Sequence, residues 1–397
     1  MKNPHLTRRL LLGAIGSAAV ATGTAGCGSR PGRTPPPEAV ATPRSPSPHR
    51  TTPGRTDEAS LRRRIASLLV VGFRGEQLRQ VPWVSTAIRD GLGGVILFDR
   101  DLSTDAVRNI RSRQQVTALV KSLRQAAPRL IVSVDQEGGR VARLNPGNGF
   151  PATKSQAQIG AENSTPATRS WAQGLVHELS SVGFTFNYAP VVDLNVNPNN
   201  PAIGRLDRSF SAKPDVVVKN ATEEIQVHRA AGIRTSLKHF PGLGSATANT
   251  DFAVADVTDS WRPVELEPFQ QLISAGTADS VLVGHVLNRQ LDPNRPASLS
   301  RPVVTDLLRN RMGFRGPVVS DDMQAVAITS RFGRDEAVAL ALEAGVDLLV
   351  FGNQQVYDPN IVTETVNGVL KLVRSGRLTE ARINESVARV DALRPKG

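Results

Sequence analysis

Eight short apolar runs, each followed by a helical stretch, leave this chain few folds to choose from. They read SLLVVGF (67–73), GGVILF (93–98), LIVSVDQ (130–136), FTFNYAPVVD (184–193), IRTSLKHF (233–240), DSVLVGHV (279–286), PVVSDD (317–322) and VDLLVFG (346–352). Most are apolar without alternation, the pattern of parallel strands covered on both faces. Between them, Thr165 reads as the N-cap and Pro166 as the first residue of one helix, with Trp171, Leu175, Leu179 and Val182 on its buried stripe. Ser300 reads as the cap of another, whose Val303, Val304, Leu307, Leu308 and Met312 share a face. Helices end on Gly183, Gly232, Gly276, Gly313 and Gly345 just before the next run, because glycine tolerates the left-handed conformation that closes a helix. Eight βα units predict an α/β fold, a single-domain (β/α)8 barrel of the TIM type. A doubly wound open sheet is the alternative, and no GxGxxG follows the first run to support it. Residues 360–376 and 379–394 read as two extra helices at the C-terminal end.

The 397 residues carry a net charge of +12, which raises the question of nucleic acid. Divided along the chain, the charge answers it. Residues 1–56 hold eight Lys/Arg and one acid, whereas the rest holds 40 basic and 35 acidic side chains. Aromatic residues are 4%, too few for a stacking platform. No nucleic-acid partner is expected.

The basic segment reads as an address. Arg8-Arg9 precedes an apolar run from Leu10 to about Val20, too short for a spanning helix and similar to a twin-arginine export signal. Thr24-Ala25-Gly26-Cys27 resembles a bacterial lipobox, which makes Cys27 the expected lipidation site; a plain secretory signal is the other reading. Cys27 is the only cysteine, which excludes a disulfide scaffold and a cysteine-based zinc site. Residues 28–56 contain eight prolines and little to bury, an extended linker. The expected organisation is a signal with lipobox over 1–27, a Pro/Arg-rich linker over 28–56 and a barrel over 57–397. Such a protein is exported and tethered by lipid to the outer face of the cell membrane.

In barrels of this kind the chemistry sits where the strands end, because the following loops converge there. The third run ends in Asp135-Gln136-Glu137-Gly138-Gly139-Arg140, and Asp193 closes the fourth, with Asp207 and Arg208 in the loop beyond. Lys238-His239 closes the fifth, His285 the sixth and Asp321-Asp322 the seventh. Carboxylates, cations and imidazoles in one mouth suit polyol recognition and acid/base chemistry. Asp322 alternates away from Asp321 and reads as a helix cap, and His177 and His228 read as surface or packing residues. No cluster has metal-ligand spacing.

VDQEGGRVAR (134–143), DRSF (207–210), KHFPG (238–242) and VVSDDM (318–323), in this order, resemble family 3 glycoside hydrolases, and within them the single-domain β-N-acetylglucosaminidase branch. The resemblance implies a retaining mechanism on a β-linked sugar, with no cofactor and no metal, and cell-wall glycan or its fragments as the carbohydrate partner. It places the nucleophile on Asp321 and sugar-binding residues on Asp135, Arg208, Lys238 and His239. Arg140 and His285, at the same ends of their runs, complete the candidate substrate-binding set. A retaining glycosidase needs a carboxylate under the anomeric carbon and a proton donor about 5–5.5 Å away, and Lys238 nearby would keep Asp321 ionised.

The branch draws its proton donor from a His in an Asp-Ser-His triplet, and here the chain departs. Aligned from KHFPG, the triplet falls on Asn249-Thr250-Asp251, with Leu243 in place of another His and Ser245 in place of an Asp. Two readings stay open. In one, Asp251 is the acid/base, its pKa raised by burial or by Asp321. In the other, the barrel captures glycan as a lipoprotein that has lost efficient catalysis, since removing a general acid costs about 10²–10⁴-fold.

Overall fold

The computed structural model describes residues 57–354 and 356–396. The signal-like segment, Cys27 and the Pro/Arg-rich linker lie outside the described residues. All eight apolar runs form strands: β1 (Leu69–Gly72), β2 (Gly94–Ile96), β3 (Ile131–Val134), β4 (Phe186–Asn187), β5 (Arg234–Thr235), β6 (Leu237–Phe240), β7 (Val281–Val283), β8 (Val318–Asp322) and β9 (Leu348–Phe351). Eight runs give nine strands because the fifth breaks at Ser236, whose N–H turns to the Ala189 carbonyl (3.0 Å).

The nine strands form one sheet in the order β5-β4-β3-β2-β1-β9-β8-β7-β6, with every neighbouring pair parallel. The two ends of that order, β5 and β6, are consecutive in the chain, so the sheet curls back on itself. A parallel bridge between Val191 and Lys238 spans the remaining gap. The result is the predicted (β/α)8 barrel, and β1, β2, β3, β7 and β9 are buried at every residue. Burial on both faces is why these runs carry no polar alternation. Gly72 is required where β1 passes β9, since a Cβ there would lie 2.0 Å from the Gly352 carbonyl oxygen.

The predicted helix stops hold: Gly183, Gly232, Gly276, Gly313 and Gly345 all take positive φ. The helix Thr165–Val182 begins one residue earlier than expected, with Ser164 as its cap. Its Leu175, Leu179 and Val182 are buried, whereas Trp171 stays partly exposed and donates through Nε1 to the Lys154 carbonyl (3.0 Å). Ser300 Oγ accepts from the Val303 N–H (3.2 Å), as a cap should, but the segment Pro302–Arg311 winds as a π-helix and leaves Leu307 only half-buried. After β9 come the two expected helices, Ile361–Arg374 and Glu380–Val390. Among the described residues, no helix is long and apolar enough to cross a membrane.

The last helix is fastened to the barrel by one buried acid at the end opposite the strand C-termini. Asp347 is fully buried and accepts from Arg309, Arg382, Arg389, Ser386 and the Val318 N–H. Removing the acid from such a lattice leaves buried cations unpaired, at about 3–5 kcal/mol. Asp347→Ala is expected to lose that much in urea unfolding, and a loss below about 1 kcal/mol would show that the three arginines reach water without it.

Candidate active site

The C-terminal ends of the strands open into a cavity of about 460 Å³. Its closed end is built from four charges. Lys238, on β6, has a side chain only 3% exposed and places Nζ 2.8 Å from Asp135 Oδ1 and 2.6 Å from Glu137 Oε1. Arg208 meets the two Glu137 oxygens with two parallel bonds of 2.7 Å and donates to the Ala202 carbonyl (2.7 Å). Burial alone would push the Glu137 carboxyl up, but Arg208 and Lys238 outweigh it and bring its pKa to about 2. Burial likewise opposes the Lys238 ammonium, and Asp135 and Glu137 hold it above its ordinary value. Charges so paired survive burial and keep donors and acceptors for hydroxyl groups.

Asp193, fully buried, organises the next sector. Its Oδ2 accepts from the His239 N–H (3.1 Å) and Nδ1–H (2.6 Å), which leaves His239 Nε2 toward Arg208 at 3.5 Å. Its Oδ1 accepts from the Leu243 N–H (2.7 Å), and so fixes the start of the loop 241–252. Buried Glu265 holds the same loop through the Ser245 N–H (3.2 Å). Farther along, the Thr250 and Asp251 carbonyls accept from the Ala327 and Val326 N–H groups (3.2 Å each), which pins the loop over the cavity. Asn249, Thr250 and Asp251 line the cavity together with Asp321.

Two of the carboxyl groups are driven apart. Burial raises the Asp251 pKa, the Asp321 charge raises it further, and it reaches about 6. Burial acts the same way on Asp321, but His285, His239, the Asp322 N–H and Lys238 together leave it below the ordinary carboxyl value. Asp321 stays ionised while Asp251 holds a proton into weakly acidic solution. Asp322 accepts through Oδ1 from the Gln324 and Gly352 N–H groups (3.0 Å each), so it closes a local turn and ties β8 to the end of β9; it is not the expected helix cap, since the helix Val326–Thr329 starts from Ala325 without a side-chain cap. It lines the cavity as well, and burial raises its pKa to about 7.

The glycosyl hydrolase family 3 N-terminal domain matches residues 60–393. The chain belongs to this family. Its class of chemistry is O-glycoside hydrolysis. A β-hexosaminidase of Xanthomonas axonopodis pv. citri is 36% identical over 317 residues, covering 76% of this chain and 87% of the relative. The "Beta-hexosaminidase A" of Pseudoalteromonas piscicida is 30% identical over 78% of this chain and 54% of its own. The solved family 3 β-N-acetylglucosaminidase from Paenibacillus sp. superposes with a TM-score of 0.76 at 32% identity; it covers 84% of this chain, and the chain spans only 62% of that enzyme. The β-N-acetylhexosaminidase of Beutenbergia cavernae gives 0.72 at 30% identity, over 83% of this chain and 97% of its own.

In this family 3 hydrolase the structure brings together Asp135, Arg208, Lys238, His239, Asp251 and Asp321, and it corrects two expected sugar contacts. Arg140 turns outward from the hairpin Gln136–Gly138/Val141–Ala142 to Asp207 (3.6 Å), away from the cavity, because Gly138 and Gly139 take positive φ and reverse the chain before it. His285 is fully buried with both nitrogens occupied, Nδ1 by Ser298 Oγ (2.6 Å) and Nε2 by the Asp322 carbonyl (2.8 Å). It steadies the backbone beside Asp321 rather than touching a ligand. Outside the candidate set, Arg143 also lines the cavity, and Glu137 joins the charged cluster. Its signal was the period of two, since Asp135 and Glu137 share one face of an extended segment opposite Lys238.

Glu137 carries a pH dependence that can be measured. Its folded pKa lies below its unfolded value of about 4.5, so its charge stabilises the fold above that pH and the contribution is lost as pH falls toward 2. Glu137→Gln should be less stable than the parent at pH 7 by about 3 kcal/mol. Urea unfolding at pH 3 should show most of that gap closed, and a gap of equal size at both pH values would rule out the ion pairs as its origin.

Proposed function

We propose that the chain is a retaining β-hexosaminidase in which Asp321 is the nucleophile and Asp251 the acid/base. The observation that carries this is the opposed pair in one cavity: Asp321 held ionised, and Asp251 raised to about 6. In the first step an Asp321 oxygen bonds to C1 of the sugar as the glycosidic C–O bond breaks, and Asp251 gives its proton to the departing oxygen. In the second, ionised Asp251 takes a proton from water as that water attacks C1 and frees Asp321. Asp135, Arg208, Lys238 and His239 hold the sugar hydroxyls. The names of the relatives support a β-linked N-acetylhexosamine as the sugar.

Asp251 and Asn249 favour a second reading, capture of glycan without efficient cleavage, because they stand where the branch carries the donor imidazole and its orienting acid, and Leu243 replaces another His. Chromogenic β-N-acetylglucosaminides separate the two. Asp321→Ala should abolish turnover. Asp251→Ala should lose about 10²–10⁴-fold on poor leaving groups and far less on dinitrophenyl glycosides, which need no protonation. The sign of the pH profile follows: Asp251 works when protonated, so kcat/KM should fall as pH rises through about 6, and Asp251→Asn should lack that limb. Full activity in Asp251→Ala removes the acid/base assignment.

We also propose that the enzyme works outside the cytoplasm, anchored by lipid on Cys27, and trims cell-wall glycan or its fragments. The twin arginines, the lipobox-like TAGC and the Pro/Arg-rich linker support this. Cys27→Ser should release the protein from the membrane fraction and abolish palmitate labelling. Retention of the label would exclude Cys27 as the acylated residue.

A further inference from the structure

We propose that His285 is a positioning residue: through Asp322 it holds Oδ1 of Asp321 aside and leaves Oδ2 to attack C1. This rests on the reading that Asp321 is the nucleophile. The path from imidazole to carboxylate is short, and each step is a hydrogen bond. His285 Nε2 lies 2.8 Å from the Asp322 carbonyl oxygen, and the Asp322 N–H donates to Asp321 Oδ1 (2.9 Å). Asp322 is fastened at its other groups too. Its Oδ1 accepts from the Gln324 and Gly352 N–H groups (3.0 Å each), and the Met323 N–H beyond it donates to the Val350 carbonyl (2.9 Å).

The strand is distorted at this place. Val319 pairs with Leu348 and Asp322 with Val350, so β8 takes three steps where β9 takes two. The extra residue makes a bulge, which re-aims side chains beside a site. Ser320 closes it on the β9 side, because its Oγ accepts the Val350 N–H (2.9 Å). The other side has no strand to lean on. There β7 ends at Val283, opposite Ser320, while β8 runs on to Asp322. The His285 imidazole takes the Asp322 carbonyl where a longer β7 would have supplied a backbone partner.

Only one proton arrangement satisfies that imidazole. A carbonyl oxygen can only accept, so Nε2 carries the proton. Burial lowers the His285 pKa and keeps the ring neutral, so Nδ1 accepts from the Ser298 hydroxyl (2.6 Å). Among the described residues, the Asp322 N–H is the one hydrogen-bond donor to the Asp321 carboxylate. Oδ2 therefore bonds to C1 as the bond from C1 to the leaving oxygen breaks, and Asp251 gives that oxygen its proton. Oδ1 becomes the carbonyl oxygen of the glycosyl-aspartate and keeps the Asp322 N–H. The carboxylate need not turn between the two states.

Steady-state kinetics of the full chain on a chromogenic β-N-acetylglucosaminide tests this. His285→Leu should lower kcat by about 10²-fold with KM little changed, as a misplaced attacking atom does. His285→Gln, whose amide N–H can reach the same carbonyl, should recover most of the loss. The pH profile gives a reading that a merely structural role would not move. Asp321 works ionised, and weakening its bond from the Asp322 N–H makes it easier to protonate. The acidic limb of kcat/KM should therefore move to higher pH in His285→Leu and return in His285→Gln. Lys238, His239, Asp251 and Asp322, the charged or titratable groups that act on Asp321 besides His285, are the same in every variant. An unmoved limb, or Gln no better than Leu, overturns the proposal. If His285→Leu does not fold, nitrogen NMR of the parent decides: a proton on Nε2 with Nδ1 bare supports it, and the reverse tautomer overturns it. If the parent turns over no glycoside, the catalytic reading fails by itself, and carbon NMR titration of the Asp321 carboxyl decides the positioning. Easier protonation in His285→Leu supports it; titration equal to the parent overturns it.

Discussion

A buried ammonium group sets the terms for the rest of this site. Lys238 projects from β6 into the end of the barrel, where water is largely excluded and an unpaired charge would not persist. Asp135 and Glu137 answer it, Arg208 answers Glu137, and the four side chains come from three separate parts of the chain. The hairpin after β3, the loop that delivers Arg208 and the bridge between Val191 and Lys238 that spans the barrel all converge on this one lattice. Motifs that look unrelated in sequence are parts of a single charge balance.

That balance also explains the behaviour of the two carboxyl groups on which the proposed mechanism rests. Eight acids and four Lys/Arg line the cavity, and among them Asp135, Glu137, Asp251, Asp321 and Asp322 act on one another or share the cations Arg208 and Lys238. Five full negative charges at such density are unfavourable, so some acids must hold protons. Position decides which ones. Asp321 has imidazoles, a backbone N–H and Lys238 to favour its charge, whereas Asp251 and Asp322 are pushed up by burial and by neighbouring carboxylates. Asp251 thus sits in an environment that lets a carboxyl group keep its proton.

Much of this was legible before any coordinates. The apolar runs without alternation marked the strands, and the glycines marked helix ends, because both are local consequences of burial and of backbone sterics. Asp135, Arg208, Lys238, His239 and Asp321 could be placed at one end of the barrel from their positions at strand ends alone. Arg140 and His285 satisfied the same rule and yet point elsewhere. One is carried outward by a glycine-built reversal, and the other is consumed by Ser298 and the Asp322 carbonyl. Position along a strand states which end a residue occupies, not which way its side chain turns once neighbours compete for it.

The amino-acid order by itself determined the parallel barrel, the helix boundaries to within about four residues, and the chemical inventory of the mouth, since periodicity, capping and turn preferences act over a few residues. Only the tertiary structure decided that Glu137 joins the lattice, that Asp193 and Glu265 hold the loop, and that Asp251 and Asp321 differ in proton affinity. Those outcomes depend on desolvation and on charges separated by tens to more than a hundred residues in the chain. Such quantities exist only after the barrel has closed.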